Sequence, residues 1–559
     1  MRRACQGFRA RAGVLALAAL GLLAGARPAY ADPHLELAQL EHGRATLSKL
    51  DRRGVIARGE LPADVATPLG SLWKLFVHAY VVDRGLPDPG YTCRGGDPDE
   101  VYCCARGERI SRDQALIRSC GPYYAPQRLG IDSGTWRDYW HARDAPDWLQ
   151  ALERMQPASE VRVAELLSVL ATLPAQAELR RLLLDRLLEP DLAAALGKIG
   201  SRLRMKTFSW HRPHRPNERL GGFAGWRSDG TPVWAAAPGT SRSVLEAYAP
   251  ALGRALPTTP PSEPGECVQV ALFQRYPIGA VTDITGKPAA AGALRGAYTV
   301  QFVNGNRLPV DSAGELTLTH DSSGLHLVAR LAREDYVARV LEREAAAEPI
   351  EAARALAIAI RTYLQQNATQ ENGCLTIADS STSQRVAPRP ASPAARAIAA
   401  WSADLVLAGT PIRYHLDRSD GGRLSWQHAV EQARAGRRFD LILTEAFPRA
   451  SLARWDRPLA RCEPLDQATR WLARQLPRWR QRLFDEPGYD GDTEFTVCRL
   501  HGGRPHIDRE RRRIYVRGLV SQQDRLDLAH EYLHLAFAAY PSGQDEAYVE
   551  ALARRLILE

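Results

Sequence analysis

Four prolines fall within the twelve residues ALPTTPPSEPGE, 255–266. Proline fixes its own φ, removes a backbone donor and restricts the residue before it, so no regular helix or strand passes through such a stretch. It reads as a linker that divides the chain. Size asks for division as well, because 559 residues exceed what one apolar core organises and about three domains are expected.

The chain opens MRRACQGFRARAGVLALAALGLLAGARPAYAD: arginines, a short apolar run from Ala12 to Ala26, then Ala29-Tyr30-Ala31. This pattern predicts a secretory signal, residues 1–31, cut before Asp32, and therefore a periplasmic or secreted protein. The apolar run is too short to span a bilayer comfortably and no second one follows, so stable membrane insertion is not expected. Five arginines leave with the signal, which lowers the formal charge from +9 to +4. So weak and dispersed a charge argues against nucleic acid as a partner. Eight cysteines remain: Cys93, Cys103, Cys104, Cys120, Cys267, Cys374, Cys462 and Cys498. An even count in an oxidising compartment predicts disulfides, and spacing leaves the pairing open. The domains are expected at 32–254, 267–430 and 431–559, flanking the linker 255–266.

In the first of them, TPLGSLWKLFVHAYVV starts with the breakers Pro68 and Gly70 and continues as a buried helix would. Ser71 and Lys74 stand three apart and share a face near the helix start. A neutral amine one turn from a serine hydroxyl can take its proton and make it a nucleophile. The chain has five lysines (Lys49, Lys74, Lys198, Lys206, Lys287) among 73 basic residues. Arginine cannot release its proton in a protein, whereas a desolvated lysine can, which singles out Lys74 and Lys206.

Ser71-Leu72-Trp73-Lys74, then ALIRSCGPYYAPQRLGI, then LRMKTFSW, resemble in order the three motifs of penicillin-binding transpeptidases and serine β-lactamases, over about residues 35–250. The resemblance implies an α/β domain with Ser71 as the acylated serine and Lys74 as its base. Ser119 would relay protons, and Lys206 and Thr207 would receive a substrate carboxylate on an edge strand. Two positions depart from the pattern. Gly121 stands where an asparagine is usual, and Phe208 replaces the glycine against which substrate lies, so obstruction by the ring is expected.

After the linker, CVQVALF, GAYTVQFV, GELTLTH and GLHLVAR alternate as short strands between Gly, Asn and Asp turns. The stretch from Arg333 to Asn367 turns helical, and 378–393 reads as a long polar loop. This region resembles the SpoIID lytic transglycosylases over about residues 265–430, through Tyr336-Val337-Ala338, Pro349, ALAIAIRTY and GTPIRYHLDRSDGG. The resemblance implies an α+β domain with Glu344 as the acid that protonates a glycosidic oxygen, for which burial must raise its pKa. Ala345 and Ala346 depart from the usual Met-Pro pair. Read without the resemblance, Glu342, Glu344 and Glu348 form a solvated helix face.

The tail carries LAHEYLHLAFAAYPSGQDEAYVEAL. His530 and His534 are four apart on an apolar helix, so both ring nitrogens reach one ion, and Glu531 between them is placed as a general base. The strand RRRIYVRGL just before the helix is expected to pair with an extended substrate. A third zinc ligand is sought after Gly543, where Asp545 to Leu556 reads as an amphipathic helix. The region resembles gluzincin metallopeptidases, which implies Glu546 as that ligand, with Glu550 as the runner-up and Asp545 as a cap.

The expected fold is thus multidomain α+β: a penicillin-binding/β-lactamase-like α/β domain, a SpoIID-like α+β domain and a compact zincin-like α+β domain. That order resembles the YfaQ-type predicted secreted proteins of Gram-negative bacteria, which implies an envelope role and a macroglobulin-like partner. Two functional classes follow. One is a hydrolase of peptidoglycan or envelope peptides with zinc as cofactor. The other is a scaffold of degraded enzyme domains that binds peptidoglycan and does little chemistry.

Overall fold

A computed structural model describes residues 33–558 except 96–99, 101–102, 105, 216, 261–265, 382, 410–411, 416–422, 449, 457–463, 492, 494, 501–504, 509–511, 539, 541–542 and 544. The signal expected at 1–31, the centre of the linker and Cys462 lie outside the described residues.

The first region is built on a six-stranded antiparallel sheet. Its strands are ordered Val55–Glu60, Arg44–Leu50, Leu35–Glu41, Pro232–Pro238, Arg219–Arg227 and Leu203–His211. Alternation sorts the side chains onto two buried faces. Trp234 and Ala236 point into a helical lobe inserted between the third and fourth strands of the chain order, while Val233, Ala235 and Ala237 point the other way. Both faces are covered, as the near-continuous apolar runs require. The strand carrying Lys206 is the sheet's outer edge.

The middle region is a seven-stranded sheet ordered Ile278–Asp283, Gly292–Phe302, Arg307–Asp321, Gly324–Ala332, Cys267–Leu272, Cys374–Ala378 and Thr369–Glu371. Cys267–Leu272 and Cys374–Ala378 run parallel with Cys267 beside Cys374, and the two cysteines form a disulfide. Helices Arg333–Glu344 and Ile350–Asn367 pack over the sheet, with Tyr336, Val337, Val340 and Leu341 turned inward at helical spacing.

The linker does not separate two cores. The apolar cluster on the outer face of the first sheet continues into the middle region, from Leu35 and Val233 through Val268 and Tyr336 to Trp455. Ser201 donates its amide to Trp401 O at 3.0 Å, and Arg202 Nη1 donates to Leu256 O at 2.6 Å. The boundary expected at 430/431 also moves. Ser451–Arg454 pairs with Leu405–Ala408, and Phe439, Ile442 and Leu443 join the middle core, so residues 431–455 belong to that region.

The tail has its own core, from Leu465 to Leu556. Its three strands are ordered Thr496–Arg499, Arg513–Val516, His506–Asp508. The strand expected to receive substrate, Arg513–Val516, is therefore the central one, with both edges already paired. Helices Asp466–Leu483, Gln522–Ala536 and Glu546–Leu558 complete the region. Ser521 caps the second of these in a capping box with Asp524.

Candidate functional site

In the first region the helix begins at Trp73, so Ser71 lies in the turn just ahead of it. Gly70 makes that turn at φ +49°, and a Cβ there would stand 3.1 Å from Phe208 Cβ. The Phe208 ring does not stand on the solvent side: it is 1% exposed and packs beneath the Gly70 turn. Lys74 Nζ lies 3.5 Å from Ser71 Oγ and donates to Ser119 O at 2.6 Å. Lys206 Nζ donates to Ser119 Oγ at 2.7 Å. Ser119 holds a left-handed φ of +64°, sparsely populated for serine, which turns its carbonyl to one lysine and its hydroxyl to the other. The next residue, Cys120, is tied to Cys103, and Cys93 to Cys104, so two disulfides frame this segment.

Lys206 is fully buried. Burial, with the charges of Lys74 and Arg186, pushes its ammonium well below the ordinary lysine value. Arg186, which the sequence did not single out, donates to Thr207 Oγ1 at 3.3 Å and pairs with Asp191. Four residues from three distant stretches are thus assembled around Ser119: Ser71, Lys74, Ser119 and Lys206. Gly121 starts the turn Pro122–Tyr124 and offers no side chain to this group.

In the middle region Glu344 is the last residue of its helix and half-buried. Its Oε1 accepts the Arg385 amide at 2.7 Å. Burial pushes the carboxyl up and outweighs that bond and one from Tyr414, both of which favour the charged form. Behind it, Gln384 accepts from Tyr336 Oη at 2.5 Å and donates to Tyr414 Oη at 2.9 Å. Gln384, Tyr414 and the nearby Asp379 escaped the sequence reading. The sign of Asp379 and Gln384 was the length of the polar loop 378–393, since long irregular loops inside domains are commonly functional, and that of Tyr414 was its place in GTPIRYHLDRSDGG. Much of GTPIRYHLDRSDGG, at 410–411 and 416–422, lies outside the described residues. Glu342 accepts from Ser392 Oγ at 2.6 Å, and Glu348 is exposed, as a solvated face would have them.

In the tail, His534 Nε2 lies 3.0 Å from His530 Nε2, and Glu546 Oε2 lies 3.1 Å from the latter and 3.5 Å from the former. The ring Nδ1 atoms face outward from this point, His534 toward Gly543 O at 2.7 Å and His530 toward Glu550 Oε2 at 3.1 Å. A proton on each Nδ1 leaves both Nε2 lone pairs facing Glu546, the tautomer a cation site requires. Glu550 thus addresses the opposite nitrogen of His530 and is placed to orient the ring. Burial holds His534 below the ordinary imidazole value. The three convergent ligand atoms all lie within 4.8 Å of one another, a donor set that fits zinc. Glu531, on the same helix, is 8% exposed. Asp545 Oδ1 accepts the Ala547 and Tyr548 amides and so caps the last helix.

Known proteins resemble this chain in both sequence and structure. A family model described as predicted secreted protein (DUF2300) matches residues 95–217 and 422–542, and one described as stage II sporulation protein, SpoIID, matches 321–403. Among the described residues no helix is long and apolar enough to cross a membrane. Among solved structures, a class D β-lactamase from Bacillus subtilis (13% identity, TM-score 0.27, 39% of this chain and 90% of that one) and a β-lactamase from Xanthomonas campestris pv. campestris (14%, 0.25, 40% and 93%) match part of the chain. YfaQ of Escherichia coli (strain K12) is 47% identical over 547 residues, 98% of each chain. With identity of that level from end to end, the chain belongs to the YfaQ family and carries the SpoIID domain within it.

Proposed function

We propose that this chain is a cell-envelope hydrolase acting on peptidoglycan or envelope peptides, with a zinc-dependent peptidase site in its tail and a SpoIID-like glycan site in its middle region. The observation that carries the reading is the convergence of His530 Nε2, His534 Nε2 and Glu546 Oε2 on one point. Zinc bound there would supply Lewis acidity and an activated water. The protein's own part is to hold the ligands. Gly543 O and Glu550 fix the two ring tautomers from behind, and the capped helix start at Asp545 sets Glu546 against them. Glu531 serves as general base, taking a proton from the attacking water and giving it to the leaving amine. The fold of this tail around a gluzincin-like helix pair belongs to the same proposal.

Metal analysis of the purified mature protein tests it. One zinc per chain is expected, lost in His530→Ala, His534→Ala and Glu546→Ala and kept in Glu531→Gln and Glu550→Ala. Glu531→Gln should retain metal and lose peptide hydrolysis. A protein that neither carries nor takes up stoichiometric metal would favour the scaffold reading instead.

A second reading, serine acyl transfer, is favoured by the Lys206–Ser119 contact at 2.7 Å beside the Ser71–Lys74 pair. A desolvated lysine can exchange a proton with Ser119, whose carbonyl holds Lys74 beside Ser71, which an exposed lysine cannot do at neutral pH. Both readings place the protein in the envelope, where a macroglobulin-like partner is a proposal of the same kind, supported by the family's resemblance alone.

A further inference from the structure

Tyr276, in the turn before the strand Ile278–Asp283, and Val303, just after the strand Gly292–Phe302, are 58% and 72% exposed. They lie together, because Val303 donates its amide to Pro277 O at 3.0 Å. The rings beneath them form a run: Tyr276 meets Phe302 at 6.2 Å between centroids, and Phe302 meets Phe273 at 5.2 Å. Phe273 has φ +59°, a left-handed backbone that a bulky residue rarely adopts. That conformation aims its amide at Asp379 Oδ2, 3.3 Å away.

Topology brings this run to the Glu344 site. Cys267–Leu272 and Cys374–Ala378 run parallel with Ala271 beside Ala378, so Phe273 and Asp379 leave the sheet at the same end. The helix Arg333–Glu344 starts at the opposite end, after Ala332, which pairs with Cys267, and returns along the sheet. Two consecutive amides then join the carboxyls: Arg385 donates to Glu344 Oε1 at 2.7 Å and Val386 to Asp379 Oδ1 at 3.0 Å. From Glu344 through Asp379 to Phe273, Phe302 and Tyr276 the contacts are continuous.

We propose that Phe273, Phe302 and Tyr276 form a saccharide platform that seats a β-1,4-linked N-acetylhexosamine strand a few sugar rings away from Glu344. The inference rests on the reading of Glu344 as a glycan site. The chemistry is that of a sugar's apolar C–H face on an aromatic ring, with hydroxyl and acetamido groups left in water. The exposed Tyr276 ring, backed edge-on by the half-buried Phe302 and Phe273, suits such a ligand, whose two faces differ in polarity. The row's continuity with the acid gives the strand its direction.

The test uses chitohexaose, titrated calorimetrically into the full mature chain bearing Glu344→Gln so that nothing is cut. Tyr276→Ala, at an exposed position that leaves the fold intact, should weaken binding about tenfold, and Tyr276→Phe should not. Chitobiose, too short to span from acid to platform, should bind both chains alike. Equal chitohexaose affinity in Tyr276→Ala, or no binding at all, overturns the platform. If binding depends on Tyr276 but the unsubstituted chain leaves denuded glycan intact, the platform stands and the Glu344 reading falls. If glycan is cut while Tyr276→Ala binds normally, the platform alone falls.

Discussion

Burial keeps part of the Glu344 population protonated at pH values where an exposed glutamate is wholly ionised, even against the Arg385 amide and the Tyr414 hydroxyl. On the proposal that Glu344 is the acid in glycan cleavage it must be protonated, so release of anhydro-muropeptides should fall as pH rises through this raised value. Tyr414→Phe removes a bond that favours the charged form, which moves the pKa further up. A pH–rate profile should therefore show the falling limb displaced to higher pH in Tyr414→Phe, and Glu344→Gln should be inactive with nearly unchanged melting. Ser71 invites a parallel test at the same scale. A fluorescent penicillin should label the chain covalently, Ser71→Ala should abolish labelling, and Lys206→Met should slow it about a hundredfold, the usual worth of a positioned proton shuttle. Absence of label on folded protein would leave the first region a binding fold.

One residue joins two elements that carry chemistry. Asp404 takes Arg204 Nη2 at 2.8 Å on one oxygen and Arg333 on the other, and Arg361 binds Glu334 at 2.5 Å beside them. Arg204 stands two residues before Lys206 on its strand, and Arg333 begins the helix that ends in Glu344. Burial opposes the charge on Asp404, but Arg333, Arg204 and Arg361 outweigh it and hold the carboxyl down at about 2. A folded value below the unfolded one means that this stabilisation is complete above about pH 4 and lost as pH falls toward 2. Asp404→Asn leaves buried guanidinium groups uncompensated and should cost about 3 kcal/mol in urea unfolding at pH 7. That cost should shrink in acid. None of this was legible in the sequence, because Asp404 and its partners are 200 and 71 residues apart. The helices 333–344 and 350–367 were legible from apolar spacing, and the shared face of His530 and His534 from local register, since short separations leave a periodic trace; Glu546 came only from the gluzincin resemblance. Lys206 stood out by the scarcity of lysine, whereas Ser119, 87 residues away, surfaced only through a resemblance in motif order. The pairing of 451–454 with 405–408 left no trace at all, which is why the third boundary was misplaced by some twenty-five residues.

At the scale of the whole molecule there are fewer independent bodies than the proline count suggested. The first and middle regions share one apolar core, whereas the tail's core is its own. The tail meets the first region through polar contacts: Arg499 with Glu108, and Gln467 and Arg470 with the carbonyls of Arg106 and Gly107. Calorimetry should accordingly show two transitions, one for residues up to about 456 and one for the tail, because a continuous core melts together. Chelation should lower the tail's transition alone. A chain ended at 430 should be insoluble, having lost Phe439, Ile442 and Leu443 from the shared core, while one ended at 456 should fold.

The Asp404 clasp has a further consequence for substrates. With the Lys206 strand and the start of the Glu344 helix gripped at one carboxylate, the Ser119 group and Glu344 stand like the jaws of a locked caliper. Neither can slide to suit its ligand. On the envelope reading proposed above, a polymer that occupied one jaw would present to the other only those groups that its own repeat places at that fixed offset.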